Sequence, residues 1–170
     1  MLESPKKISD IKNLDAYSAV FIPGGHGAMI NLPFNADLGR LLHEAHAKLL
    51  PTVTLCHGPA ALLSTQAKGT GTEVAYKGYE SMCYTDRTDA INPWVGYLPG
   101  NMPWNCQNAI EKEGLTIVNK IETGAVKVHK ELIAGDSPTA AHNLGVIAAP
   151  ILVKYANANK QSNKQRQIAS

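Results

Sequence analysis

Two short apolar runs, each ending in a turn, and an amphipathic stretch between them constrain this chain most. Residues 17–22 (YSAVFI) are β-prone and stop at Pro23-Gly24-Gly25, while residues 52–55 (TVTL) run straight into Cys56-His57-Gly58-Pro59. Runs this short and apolar, closed by turn residues, read as strands buried on both faces. From Asn35 onward, Leu38, Leu41, Leu42, Ala45 and Leu49 recur at helical spacing, and Pro51 ends the segment. One face of that helix is apolar. Strand, helix and strand in this order form a βαβ unit, which predicts an α/β fold with a largely parallel sheet.

The rest of the chain fits one domain. Residues 60–65 (AALLST) look helical, with Pro59 in the first turn, where its missing N–H costs nothing. Residues 69–103 are irregular, with a strand candidate at 79–84 and then a long loop holding Asp86, Asp89, Trp94 and Pro99. Long loops inside a compact domain are usually functional or mobile. A helix is expected over 104–113, closed by Gly114, then a strand over 115–119 and a hairpin strand near a sheet edge over 126–133. Asp136-Ser137-Pro138 predicts the cap and first turn of the last helix, which carries Ala140, Leu144, Ile147, Ala148, Ile151 and Leu152 on its packing face and a kink at Pro150. The domain is expected over residues 17–157, after a polar lead-in (1–16) and before a polar, disordered tail (158–170).

Composition removes several function classes. Hydrophobic residues make up 44% of the 170, enough for one packed core. The net charge of +2 comes without a Lys/Arg stripe interleaved with aromatics, which argues against a nucleic-acid surface. No apolar run approaches the ~18–20 residues of a membrane span. The polar start, MLESPKKISD, lacks the apolar stretch of a signal peptide, so a cytoplasmic location is the default. Cys56, Cys83 and Cys106 form an odd set without CxxC spacing, so neither a disulfide framework nor a zinc ribbon is expected. His43 and His46 lie three apart on a solvated helix face, and His129 and His142 are isolated, so no metal site is expected. Gly24-Gly25-His26-Gly27 matches neither the dinucleotide nor the phosphate-loop pattern, and no cofactor is expected.

Cys56 is the candidate for chemistry. It ends a parallel strand where a helix begins, the crevice in which open α/β sheets place ligands. A sharp strand-to-helix turn thrusts its side chain out of the sheet. The competing reading is an inert core filler, the commonest fate of a free cysteine. His57 follows directly, but neighbours on a sharp turn point different ways, so it orients substrate or moves protons rather than necessarily acting on Cys56. Gly24 and Gly25 end the preceding strand and offer N–H groups for an oxyanion hole facing Cys56. A carboxylate that fixes the imidazole would complete the set. Asp86 and Asp89 are equally placed for that by the residues alone.

The segments AVFIPGGHGAMINLP, TVTLCHGPAALL, GYLPGNMPW and LIAGDSPTAAHNLG together resemble the Hsp31-type branch of the DJ-1/PfpI superfamily, collinearly over residues 5–154. The resemblance implies a flavodoxin-like sandwich, often dimeric. It implies Cys56 as nucleophile, His57 as its partner, Asp86 as the acidic third member, and Gly25 with the His57 backbone as oxyanion hole. It also implies cofactor-free conversion of methylglyoxal to D-lactate, repair of early glycation adducts, and holdase chaperoning. The expected partners are a small aldehyde or a glycated protein, with a homodimer or a complementing N-terminal segment. Family members carry a long segment upstream of the GGHGA strand, with a glutamate that contacts the cysteine and residues of a metal site. No residue here matches that glutamate, so strongly reduced activity is expected. The alternatives are a stress-related holdase or non-catalytic fragment, and a cysteine amidohydrolase or peptidase of the same superfamily.

Overall fold

The expected βαβ unit is present in the computed structural model, which describes residues 4–168 and their side chains as far as 161. β1 (Val20–Ile22) and β2 (Thr52–Leu55) pair in parallel, with Phe21 opposite Val53. Between them the chain forms the short α1 (Ala28–Asn31), a 3-10 turn over Leu32–Phe34, and α2 (Ala36–Ala47). The Asn35 side chain accepts the Leu38 N–H at 2.9 Å, satisfying one of the free donors at the start of α2. Leu38, Leu41, Leu42 and Ala45 are buried as the helical spacing predicts, but Leu49 is exposed. It lies past the end of α2, at a φ of 50° that takes the chain out of the helix.

β2 occupies the middle of a sheet ordered β1-β2-β6-β5. β6 (Leu132–Gly135) runs parallel to β2, and β5 (Val126–His129) pairs antiparallel with β6 as the outer arm of a hairpin. A second, two-stranded sheet pairs β3 (Glu80–Ser81) with β4 (Thr116–Ile117) in parallel, so the strands expected over 79–84 and 115–119 are shorter than their apolar runs. The region expected to be irregular contains α3 (Asp86–Ile91), and α4 (Cys106–Lys112) follows it. Residues Gly58–Gln66, expected to be helical, form a 3-10 helix that is buried over Gly58–Thr65.

The core lies on both faces of the main sheet. On one, Leu132 and Ile22 pack with Leu42, Ala61, Leu62 and Tyr76. On the other, Val53 and Ile133 pack with Leu144 and Ala148 of α5 (Ala141–Ile168). Two expectations for the ends of the domain differ from the structure. The lead-in is tied to the fold: Leu14 is buried with Leu41, Ala45 and Leu50, and the Arg40 guanidinium donates to the carbonyls of Ile11 and Lys12. Helix α5 continues to Ile168, through most of the segment expected to be disordered, because no Gly or Pro follows Pro150 to stop it. Residues 169–170 lie outside the described part. Among the described residues, no helix is long and apolar enough to cross a membrane.

Candidate active site

Cys56 sits at the carboxyl end of β2 with a φ of 60°, in the left-handed region. For a residue with a Cβ this conformation costs on the order of 1–3 kcal/mol and persists only where its surroundings hold it. Here they do: the Cys56 N–H donates to the Gly135 carbonyl at 2.9 Å, and its carbonyl accepts the Tyr84 N–H at 3.0 Å. Two glycines let the elbow fit against its neighbours. A Cβ at Gly24 would stand 2.5 Å from the Cys56 Cβ and 2.5 Å from the Leu55 carbonyl oxygen. One at Gly58 would stand 2.4 Å from the Ile22 carbonyl oxygen. Gly25 follows at a φ of 95°, so the turn that presents these glycines to Cys56 is open only to residues tolerant of that region.

The imidazole of His57 turns back toward the thiol. Its Nδ1 lies 3.4 Å from Cys56 Sγ, and its Nε2 lies 2.8 Å from Asp89 Oδ2. Asp89 Oδ1 in turn meets Nε2 of His26 at 2.9 Å and accepts from the Asn92 side chain at 3.3 Å. Cys56, His57 and Asp89 are all buried, whereas His26 is partly exposed. Tyr84 packs 4.9 Å from the His57 ring, and Tyr97 lies 6.1 Å from His26 at the solvent side.

The carboxylate in this line is Asp89, not Asp86. Thr85 caps α3 by accepting the Thr88 N–H, which sets Asp86 in the first turn, pointing toward α4. There its two oxygens accept the N–H groups of Gln107 and Asn108 at 2.8 and 2.9 Å, satisfying free donors at that helix end. Asp89, near one turn further along, reaches the crevice. His26 is the residue that sequence reasoning missed: its loop was read only for its backbone.

Charge follows the geometry. Burial by itself would lower the His57 pKa, but hydrogen bonds to Asp89 and Cys56 outweigh it and push the imidazole up to about 9. Burial pulls Asp89 the other way, and the hydrogen bonds from His57 and His26 overcome it, holding the carboxyl below the usual range. Both directions favour a carboxylate–imidazolium pair. With Nε2 committed to Asp89, Nδ1 is the ring atom that faces the thiol. The other two cysteines have no such surroundings: Cys83 and Cys106 belong to the core, and burial pushes both thiols up. His43 and His46, expected on a solvated face, instead turn inward, to the Thr65 carbonyl at 2.6 Å and to Glu131 at 2.7 Å.

No family model matches the chain. Curated relatives do. The chain is 38% identical over 159 residues to the protein/nucleic acid deglycase HchA of Pseudomonas aeruginosa, covering 90% of this chain and 55% of that protein. It is 37% identical over 162 residues to the HchA of Escherichia coli O7:K1, covering 92% and 56%. Among solved structures, glyoxalase III from Candida albicans superposes with a TM-score of 0.69 at 26% identity, over 87% of this chain and 63% of that one. The chain belongs to the Hsp31-type branch of the DJ-1/PfpI superfamily. A two-domain protein from Anabaena variabilis with a DJ-1/ThiJ/PfpI-like domain shares the fold, with a TM-score of 0.56 at 19% identity. The chain spans about half the length of the curated DJ-1/PfpI relatives it matches. The relatives' name also cuts against the sequence-based exclusion of nucleic acid. That exclusion rests on the absence of a basic stripe.

Proposed function

We propose that this chain carries the nucleophile half of a cofactor-independent glyoxalase III and deglycase. The observation that carries this reading is the buried line from Cys56 Sγ through His57 to Asp89. His57 Nδ1 holds the proton taken from Cys56 Sγ; Sγ attacks the aldehyde carbon of methylglyoxal, and Nδ1 passes that proton to the carbonyl oxygen, which becomes the hydroxyl of a hemithioacetal and leaves the ring neutral. The developing oxyanion is received by the Gly25 N–H and the His57 backbone N–H, with Gly24 bringing the loop against Cys56. His57 then moves the proton from C1 to C2 through an enediol, leaving a thioester. Water cleaves the thioester to lactate and restores the thiol. Methylglyoxal and one water therefore give lactate without an external oxidant or reductant. Early aldehyde adducts on proteins or nucleic acids would enter by the same carbonyl chemistry. The three free cysteines suit a reducing compartment, and we place the reaction in the cytoplasm.

Lactate formation from methylglyoxal by the purified chain, beside Cys56→Ala, tests the reading. Turnover by the parent alone supports it; equal lactate from both, or none from folded parent, contradicts it.

One observation favours a holdase role as the second reading. β1 is an edge of the main sheet, and its Phe21 is 58% exposed beside an apolar groove lined by Val53, Leu55, Leu144 and Leu152. An exposed edge with apolar surface is what an unfolded client would pair with. Suppression of client aggregation that survives Cys56→Ala would support this role; no suppression by either protein would end it.

A further inference from the structure

Asp89 stands between two imidazoles, and one of them, His26, has no part in the reaction above. The three groups come from three separate places in the fold: the loop after β1, the elbow after β2, and α3. His26, His57 and Asp89 each offer one ligand atom, and these atoms all lie within 4.8 Å of one another. Among the described residues, this is the one cluster of three or more histidines, cysteines or carboxylates with such spacing. The other histidine–carboxylate contacts, His46 with Glu131 and His129 with Glu80, are pairs.

We propose that this cluster is a binding site for a divalent transition metal, with zinc the best match. Two imidazole nitrogens and one carboxylate oxygen suit zinc, copper or nickel rather than magnesium or calcium. Zinc sites commonly combine three protein ligands of these types with a water in the fourth position. Tetrahedral zinc, with bonds of about 2.0–2.1 Å, sets its ligand atoms about 3.3–3.4 Å apart. The two contacts to the Asp89 oxygens, at 2.9 and 2.8 Å, are about half an ångström shorter than that, and no pair of ligand atoms is more than about 1.5 Å longer. The His26 side chain is 25% exposed, which gives the ion a way in, while Asp89 and His57 are buried at the far side.

Each imidazole gives the proton on Nε2 to solvent, and the metal takes the two freed lone pairs and an Asp89 oxygen. His57 then carries its remaining proton on Nδ1, the atom 3.4 Å from Cys56 Sγ. With Nε2 held by the metal, passing that proton on would leave an imidazolate, so the ring no longer shuttles protons and the metal-bound protein is silent in the reaction proposed above. That consequence rests on the catalytic reading; the binding itself does not.

The test is titration of the purified, metal-free full chain with zinc chloride by calorimetry, repeated with cobalt(II) for absorption spectra. The proteins are the parent, Cys56→Ser, His26→Asn and His46→Gln, each checked for a native thermal transition. The parent, Cys56→Ser and His46→Gln are expected to bind one equivalent alike. His26→Asn is expected to weaken binding by more than the roughly hundredfold that loss of a mere supporting partner costs. Bound cobalt is expected to show tetrahedral bands without thiolate-to-metal charge transfer. Equal binding by His26→Asn, loss of binding in Cys56→Ser with a charge-transfer band in the parent, or no binding by the parent would each overturn the site. Binding is read directly, so the site stands or falls separately from turnover.

Discussion

Replacing Asp89 with Asn removes a carboxylate shared by His57, His26 and the Asn92 side chain. The magnitude follows from His57, which is 1% exposed and pushed from 6.5 up to about 9. At about 1.4 kcal/mol per pH unit, that difference corresponds to about 3 kcal/mol of folded stability. The folded state holds this proton more tightly than the unfolded chain. Its contribution is therefore complete below pH 6.5 and disappears as the pH rises through about 9. In Asp89→Asn, burial acts against the charged ring with only Cys56 left to offset it, and the dependence should largely vanish. Asp89 itself titrates below 3.8, so its contribution is present above that value and is lost as the pH falls through the folded one. Urea unfolding at pH 6 and pH 9.5 reads the effect directly. The gap between parent and variant should shrink by about 3 kcal/mol across that window, with groups common to both proteins cancelling. Titration of the histidine ring protons by NMR should show one imidazole near 9 in the parent and none there in the variant. Parallel stability curves, with no ring titrating above neutrality in the parent, would refute the proposed charge pairing.

Other outcomes follow from the same contacts. Gly24→Ala places a methyl 2.5 Å from the Leu55 carbonyl and the Cys56 Cβ; it should cost about 1–3 kcal/mol in thermal or chemical unfolding and lower turnover by displacing the elbow. Alkylation at neutral pH with mass-spectrometric mapping should label Cys56 first, because Cys83 and Cys106 are fully buried thiols that burial holds protonated. Equal labelling of all three from native protein would contradict this. Glu131→Gln should cost about 1–3 kcal/mol, since its buried carboxylate accepts from Tyr79 and meets His46. Turnover should change little, because Glu131 precedes β6 while Cys56 is bonded to its last residue, Gly135.

Much of the frame was legible before the structure. Apolar runs closed by glycine and the Cys56 turn marked β1 and β2, and the Asn35 cap with its four-residue apolar rhythm marked α2. These signals are local, and local chemistry decides them. The elements that were misjudged depend on partners distant in sequence. Among the described residues, β3 and β4 pair only with one another, and each is two residues long. The lead-in packs because Arg40 holds its carbonyls from α2. At the site, Cys56, Gly24 and Gly25 lie at the strand ends that the pattern marked, whereas the His57 ring, expected to point away from its neighbour, turns back to within 3.4 Å of the thiol. The choice between Asp86 and Asp89 was open in the residues, and the family resemblance pointed to Asp86. The cap at Thr85 was a usable signal, since it starts α3 and separates the two carboxylates by nearly one turn. What no local pattern shows is that α4 offers Asp86 two free N–H groups while two histidines wait for Asp89. His26 was hidden for the same reason, because its partner lies 63 residues away.

In the proposed reaction Cys56 works through His57 and Asp89, while Asp86 caps α4. Lactate formation from methylglyoxal by Asp89→Asn and Asp86→Asn, measured beside the parent, separates the two carboxylates. Asp89→Asn should lose about a hundredfold or more in rate, as losing the group that orients a catalytic imidazole does elsewhere. Asp86→Asn should keep its rate within a few-fold and lose only some stability. The reverse pattern, with Asp86→Asn inactive and Asp89→Asn near the parent, would contradict the account.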